Sequence, residues 1–200
     1  MPESRRTPSQ ARSKEKYEQI LRAATALIGE RGNDSVSMRE IAKHAGVALS
    51  SIYQYFPDKN AILAAIMQSY FQQIRQNLSE KVASWQSEKE AQQGIINTID
   101  MFYALFKEEP VLATLWAGMQ ANKQLKDLDT EDTQINAKLL SEKLRDFYPQ
   151  HSFEALHAAV TLLLHTAGMA VRIAMDLPEE KSLALMEELK TLATLRLQSL

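Results

Sequence analysis

The sequence predicts an all-α protein, and three observations carry that expectation. Helix formers such as Ala, Leu, Glu, Lys and Gln dominate, while only 6 Gly and 6 Pro in 200 residues leave few turns. Apolar residues recur every three to four positions rather than alternating. A hydrophobic share of 45% beside 24% charged residues is enough to build a buried core.

Residues 1–12 mix Pro, Ser, Arg and Gln without an apolar period and are expected to form a disordered basic arm, in which Arg5, Arg6 and Arg12 could track phosphates. Tyr17, Ile20, Leu21, Ala24, Leu27 and Ile28 then mark one buried face of a first helix, with Gly29 and Gly32 expected to end it. Ser37-Met38-Arg39-Glu40 is a capping box that opens a helix to about Ala45. Gly46 suits the left-handed turn that closes it. A short helix follows from about Ala48 to Gln54, and Pro57-Asp58 caps a long one striped by Ile62, Ile66, Met67, Phe71, Ile74 and Leu78. Further helices are expected before Pro110, in VLATLWAGMQA, from about Thr130 to Phe147, from Phe153 to Met175 and from Pro178 to Leu200. The expected organisation is an arm over 1–12, a first domain over 13–60 and a helical body over 61–200.

Charge divides the same way. The chain carries a net −2, but residues 1–60 hold ten Lys/Arg against seven Asp/Glu, leaving the body acidic. A basic front on an acidic body lets one end meet phosphate. Cysteine is absent, which excludes disulfides and thiolate metal sites and is compatible with a cytoplasmic location. The N-terminus lacks the apolar stretch of a secretory signal.

Within IAKHAGVALSSIYQYF, Ile41, Val47 and Ile52 would form a small core between two helices crossing at a glycine turn, with Ala42 permitting close approach. That is a helix-turn-helix pattern, whose second helix enters a DNA major groove. Ala48, Leu49, Ser50, Ser51, Tyr53, Gln54 and Tyr55 would be presented outward. Hydroxyls and amides suit phosphate oxygens and base edges, and Ala or Leu suits a thymine methyl. Lys59, in the first turn of the next helix, could clamp a phosphate beside exposed amides.

The longer stretch SVSMREIAKHAGVALSSIYQYFPDKNAILAAIM resembles the signature of TetR-family transcriptional regulators, in its IA..AGV turn, its Tyr-x-Tyr-Phe exit and the Lys after the cap. The resemblance runs from Tyr17 to Met67. It implies an N-terminal three-helix helix-turn-helix DNA-binding domain and a helical C-terminal domain that dimerises and binds an effector. By position, Ser37 and Arg39 open the supporting helix, Leu49 to Tyr55 form the recognition helix and Lys59 is the phosphate clamp. Ala48 and Leu49 depart from the family's usual polar cap and successor.

In the body, one uncharged run ends at Val171. It reads as a helix buried on two faces rather than a membrane span, with Leu162, Thr166 and Ile173 on the face left for a partner. Leu185, Leu189 and Leu192 stripe the last helix, and the two helices are expected to form half of a four-helix dimer interface. Phe71, Met101, Phe102, Leu105, Trp116, Met119, Leu139 and Met169 are core residues by default. As a set they could instead line an apolar cavity, with Asn97, Gln120 or His165 orienting a small, mostly apolar ligand. His157 and His165 lie two helical turns apart, about 12 Å, too far to share a metal ion. The acidic run KDLDTEDT is expected in solvated loop ends.

No nucleophile elbow, phosphate-cradling glycine loop or paired metal motif supports an enzyme, and no cofactor is expected. The expected function is a homodimeric repressor on a palindromic double-stranded operator, released by a small-molecule effector. The alternative is a helical ligand-binding or scaffold protein that has lost DNA binding.

Overall fold

The computed structural model describes the backbone of residues 8–120 and 122–200 and the side chains of residues 11–118 and 122–200. Among the described residues it is all helix: α1 (Pro8–Arg31), α2 (Met38–His44), α3 (Leu49–Tyr53), α4 (Lys59–Ser84), α5 (Glu88–Glu108), α6 (Val111–Gln120), α7 (Lys123–Leu144), α8 (Phe153–Met175) and α9 (Glu179–Gln198).

Local chemistry sets most of these boundaries. The Ser37 hydroxyl accepts from the Glu40 amide while Glu40 accepts from the Ser37 amide, the reciprocal box foreseen at α2. Asp58, Ser87, Asn122 and Ser152 cap α4, α5, α7 and α8 through one side-chain acceptor each. Each such cap stabilises its helix by about 1 kcal/mol. Gly32 and Gly46 adopt φ of 79° and 65°, the left-handed region where a Cβ is strained.

Three expectations are corrected. Residues 8–12, read as part of a loose arm, are already helical, and residues 1–7 lie outside the described residues. Gly29 does not end α1 but lies inside it, where a Cβ would stand 3.4 Å from that of Val111 on α6. The run KDLDTEDT is not loop: it forms the second and third turns of α7, started earlier than expected by the Asn122 cap.

Two cores organise the packing. The larger joins Ile20, Ile28, Ile41, Ile52, Ile62 and Met67 of α1–α4 to α5, α6, α8 and α9 without a break. The smaller lies at the far end of α4, around Leu78, Trp85, Leu140, Leu144, Tyr148 and Leu156. No core boundary falls at residue 60, because α4 begins at Lys59 and belongs to both clusters.

Trp85 lies between α4 and α5 and is 5% exposed, with its indole packed against Gly94. A Cβ at Gly94 would stand 2.3 Å from the indole Nε1. Gly94→Ala is therefore expected to lower stability by about 1–3 kcal/mol through overpacking, read as a lower urea midpoint with an unchanged slope.

Candidate functional site

The helix-turn-helix is held rigidly from inside. Ile41 and Ile52 are fully buried, and the Val47 amide donates to Ala42 O at 3.0 Å across the Gly46 turn. Gln19 of α1 donates to Ala45 O at 2.7 Å, fixing the same turn from the other side. The Tyr17 ring stacks on Phe56 at 5.0 Å and meets the edge of Tyr55 at 6.2 Å.

This frame sorts the expected DNA-facing side chains. Ser50, Tyr53 and Gln54 stand open on α3, with Tyr53 52% exposed. Ala48 is exposed at the N-cap, where it offers no side-chain cap, and Ser51 is half-buried. Leu49 is half-buried against the core, and Tyr55 is half-buried with its hydroxyl on Ser13 Oγ at 3.1 Å. Arg39 is exposed on α2, whereas the Ser37 hydroxyl is engaged with Glu40. Those hydrogen bonds, with Arg31 nearby, hold the Glu40 carboxyl below its usual range. Lys59 is half-buried, and its ammonium donates to Asn33 O at 2.7 Å, so part of its donor capacity ties α4 to the α1–α2 loop. Gln19 and Asn33 are the positioning residues that the sequence reading missed. Neither lies in the motif, and nothing in the pattern marks a contact 26 residues away.

A cavity of about 260 Å³ lies between α4, α5, α6, α7 and α8. Phe71, Met101, Phe102, Trp116, His165 and Met169 are among the residues that line it. Asn97 does not: it is exposed and accepts from Gln93 at 2.9 Å. Leu105 and Leu139 pack against the two cores outside the lining. The side chains of Met119 and Gln120 lie outside the described residues.

The wall the sequence reading missed is polar, and α7 supplies it: Lys126, Asp129, Asp132, Thr133 and Asn136 all line the cavity. Asp129 accepts from the Trp116 indole N–H at 3.1 Å. Asp132 pairs with Arg75 of α4 and accepts from Asn136 Nδ2 at 2.8 Å. Burial pushes both carboxyls above their usual range. It is opposed for Asp129 by Trp116, Arg172 and His165, and for Asp132 by Arg75 and Asn136.

The far face of α8 and α9 is apolar and open. Leu162 is 69% exposed and Leu192 61%, joined by Ile173 and Leu195. Thr166 is exposed and Leu185 half-buried. Leu189, expected on that face, is instead 4% exposed and turned into the core beside Met186 and Ala193. By length and composition α8 could cross a membrane, yet Leu156, Val160, Ala167 and Val171 are buried in the protein. The histidines have other surroundings: His151 bonds to Leu200 O, and the His157 ring lies 5.4 Å from that of Phe153.

Residues 20–66 match the bacterial regulatory proteins of the tetR family, and residues 89–200 match the tetracyclin repressor-like C-terminal domain. The second match alone covers more than half of the chain, and the chain belongs to the TetR family. Among curated proteins, the chain is 38% identical over 61 residues to the HTH-type transcriptional repressor KstR of Rhodococcus jostii, covering 30% of this chain and 29% of KstR. It is 36% identical over 75 residues to the fatty acid metabolism regulator protein of Bacillus subtilis, covering 38% of this chain and 39% of that protein. These matches span less than two fifths of the relatives' own length. The fold is shared more widely. The regulator FadR of Bacillus subtilis, solved in complex with stearoyl-CoA, superposes with a TM-score of 0.72 at 22% identity, covering 89% of this chain and 97% of that one. SmeT, the repressor of the Stenotrophomonas maltophilia multidrug efflux pump SmeDEF, superposes with a TM-score of 0.67 at 20% identity, covering 92% and 88%.

The Arg75–Asp132 pair makes a testable electrostatic link. Arg75→Met leaves Asp132 buried with only Asn136 as donor, and because Arg75 is 38% exposed the cost is expected to be about 1–2 kcal/mol. A carboxyl whose folded pKa is raised contributes stability below its ordinary pKa and loses it as pH rises through the raised one. The variant raises the Asp132 pKa further, so its deficit against wild type should shrink between about pH 8 and pH 5, as read from urea midpoints at both.

Proposed function

We propose that this protein is a homodimeric transcriptional repressor that reads a palindromic double-stranded operator with α3 and leaves it when a small effector fills the α4–α8 cavity. The observation that carries the reading is the open polar surface of Ser50, Tyr53 and Gln54, on a helix whose other side is locked by Ile52. Such side chains can donate to and accept from base edges and phosphates. Arg39 adds an exposed cation on the supporting helix α2. The activity belongs in the cytoplasm, where DNA is reached directly.

The exposed apolar face of α8 and α9 supports self-association through an isologous interface, centred on Leu162, Ile173 and Leu192, with Thr166 at its side. Two subunits present two α3 helices, one per half-site. The effector acts through α4, whose first turn holds the Asn33 loop and whose later turns place Phe71 and Ile74 on the cavity. A ligand that binds one tilt of α4 better than the other shifts the separation of the two α3 helices.

Binding to DNA from the gene's own upstream region, followed by fluorescence anisotropy at two salt concentrations, tests the reading. Specific and salt-sensitive binding is expected, with Tyr53→Phe weakening it about three- to tenfold, the loss of one hydrogen bond. Equal affinity of wild type and variant for specific and scrambled duplexes would contradict it. Leu162→Glu combined with Leu192→Glu is expected to yield a monomer in sedimentation equilibrium and to weaken operator binding by more than about tenfold, since a monomer engages one half-site.

A further inference from the structure

The polar wall of the cavity is incomplete at one end. Asn136 is 7% exposed and lines the cavity, and its Oδ1 has no hydrogen-bond partner among the described residues. The amide orientation is fixed by chemistry: Nδ2 faces Asp132 Oδ2 at 2.8 Å, and an ionised carboxylate only accepts. Oδ1 is therefore an acceptor without a donor. On the other side of Asp132, Arg75 Nε is equally unpartnered. A buried network left open in this way is costly, and each orphan group calls for a ligand or a water to close it.

The two ends of the cavity differ in charge. Lys126 and Arg172 line it too, Lys126 three residues before Asp129 on α7 and Arg172 close enough to Asp129 to favour its charged form. Asn136 lies two helical turns further along α7 from Asp129, about 10 Å at 1.5 Å rise per residue. The cation on α4 near Asn136, Arg75, is already taken by Asp132. On the cavity lining, the Asn136 end thus offers the acceptors of Asn136 and Asp132, and Arg75 is not part of that lining. Apart from His165 and the threonines, the rest of the wall is apolar, with Phe71 and Phe102 each packed edge-to-face on Trp116.

Resting on the reading of this cavity as an effector site, we propose that it takes a small amphiphile with an apolar body and a protonated amine, whose N–H donates to Asn136 Oδ1. An ammonium placed there would also face the Asp132 carboxylate, whereas a carboxylate head would meet those two acceptors on the cavity wall, which Arg75 with its unpaired Nε–H does not line. The aromatic wall accommodates the apolar body.

Calorimetric titration of the full chain, without DNA, with phenylbutylamine and with phenylbutyrate tests this. The two probes share one body and differ in the head. The amine is expected to bind at least about tenfold more tightly, as for a hydrogen bond involving a charged group. Asn136→Leu should remove most of that preference while leaving the tryptophan fluorescence spectrum of the free protein, from Trp85 and Trp116 together, unchanged. Binding of phenylbutyrate as tight as or tighter than the amine overturns the proposal, as does binding of neither, or an amine affinity in Asn136→Leu within twofold of wild type. The wild-type comparison decides even if the variant does not fold. Because no DNA is present, failure here leaves operator recognition standing, and failure of operator binding leaves this result standing.

Discussion

The membership of α4 in two cores is the constraint on which the rest of the molecule depends. Its first half buries Ile62, Leu63, Ile66 and Met67 against the helix-turn-helix, and its later turns bring Phe71, Ile74 and Leu78 to the cavity. Interiors packed at crystal-like density transmit displacement rather than absorb it. The N-terminal end is also tied by Lys59 to the carbonyl of Asn33, and the amide of Asn33 lies 3.2 Å from where a Cβ on Gly118 would stand. Gly118 belongs to α6, two residues from Trp116 on the cavity wall. The helix-turn-helix is therefore joined to the cavity along α4 and again along α6.

The second feature is a charged wall in an otherwise apolar interior. Asp132, buried, and Asp129, half-buried, each have a specific donor: Arg75 and Asn136 for the first, the Trp116 indole for the second. Buried carboxylates of this kind contribute little net stability, since desolvation offsets attraction. Their value lies in direction, because they fix where a polar ligand group can and cannot sit.

Much of the fold is legible from short-range chemistry. The Ser37–Glu40 box, the Gly46 turn, the Asp58 cap and both ends of α8 follow from residues within four positions of each other. What was not legible depends on distant partners. KDLDTEDT looks like solvated loop because four of its eight residues are acidic. Only the Asn122 cap before it, and Arg75 and Trp116 from other helices, make a helix of it whose one face lines the cavity while Asp127 and Glu131 stay exposed. Leu189 fits a partner-facing stripe by spacing, but it lies on the face of α9 that carries Met186 and Ala193 into the core, and Leu192 is left outside. For Lys59 the sequence offers a cation at a helix start, and the fold gives it a carbonyl 26 residues away.

The claim that a pair of α3 helices reads two related half-sites is tested most directly by selecting binding sites from a random duplex pool and footprinting the winner with hydroxyl radicals. The account predicts one enriched sequence with two-fold symmetry and two protected patches on one face, about one or a whole number of helical turns apart. An enriched sequence without symmetry, or a pool with no enrichment at all, would contradict it.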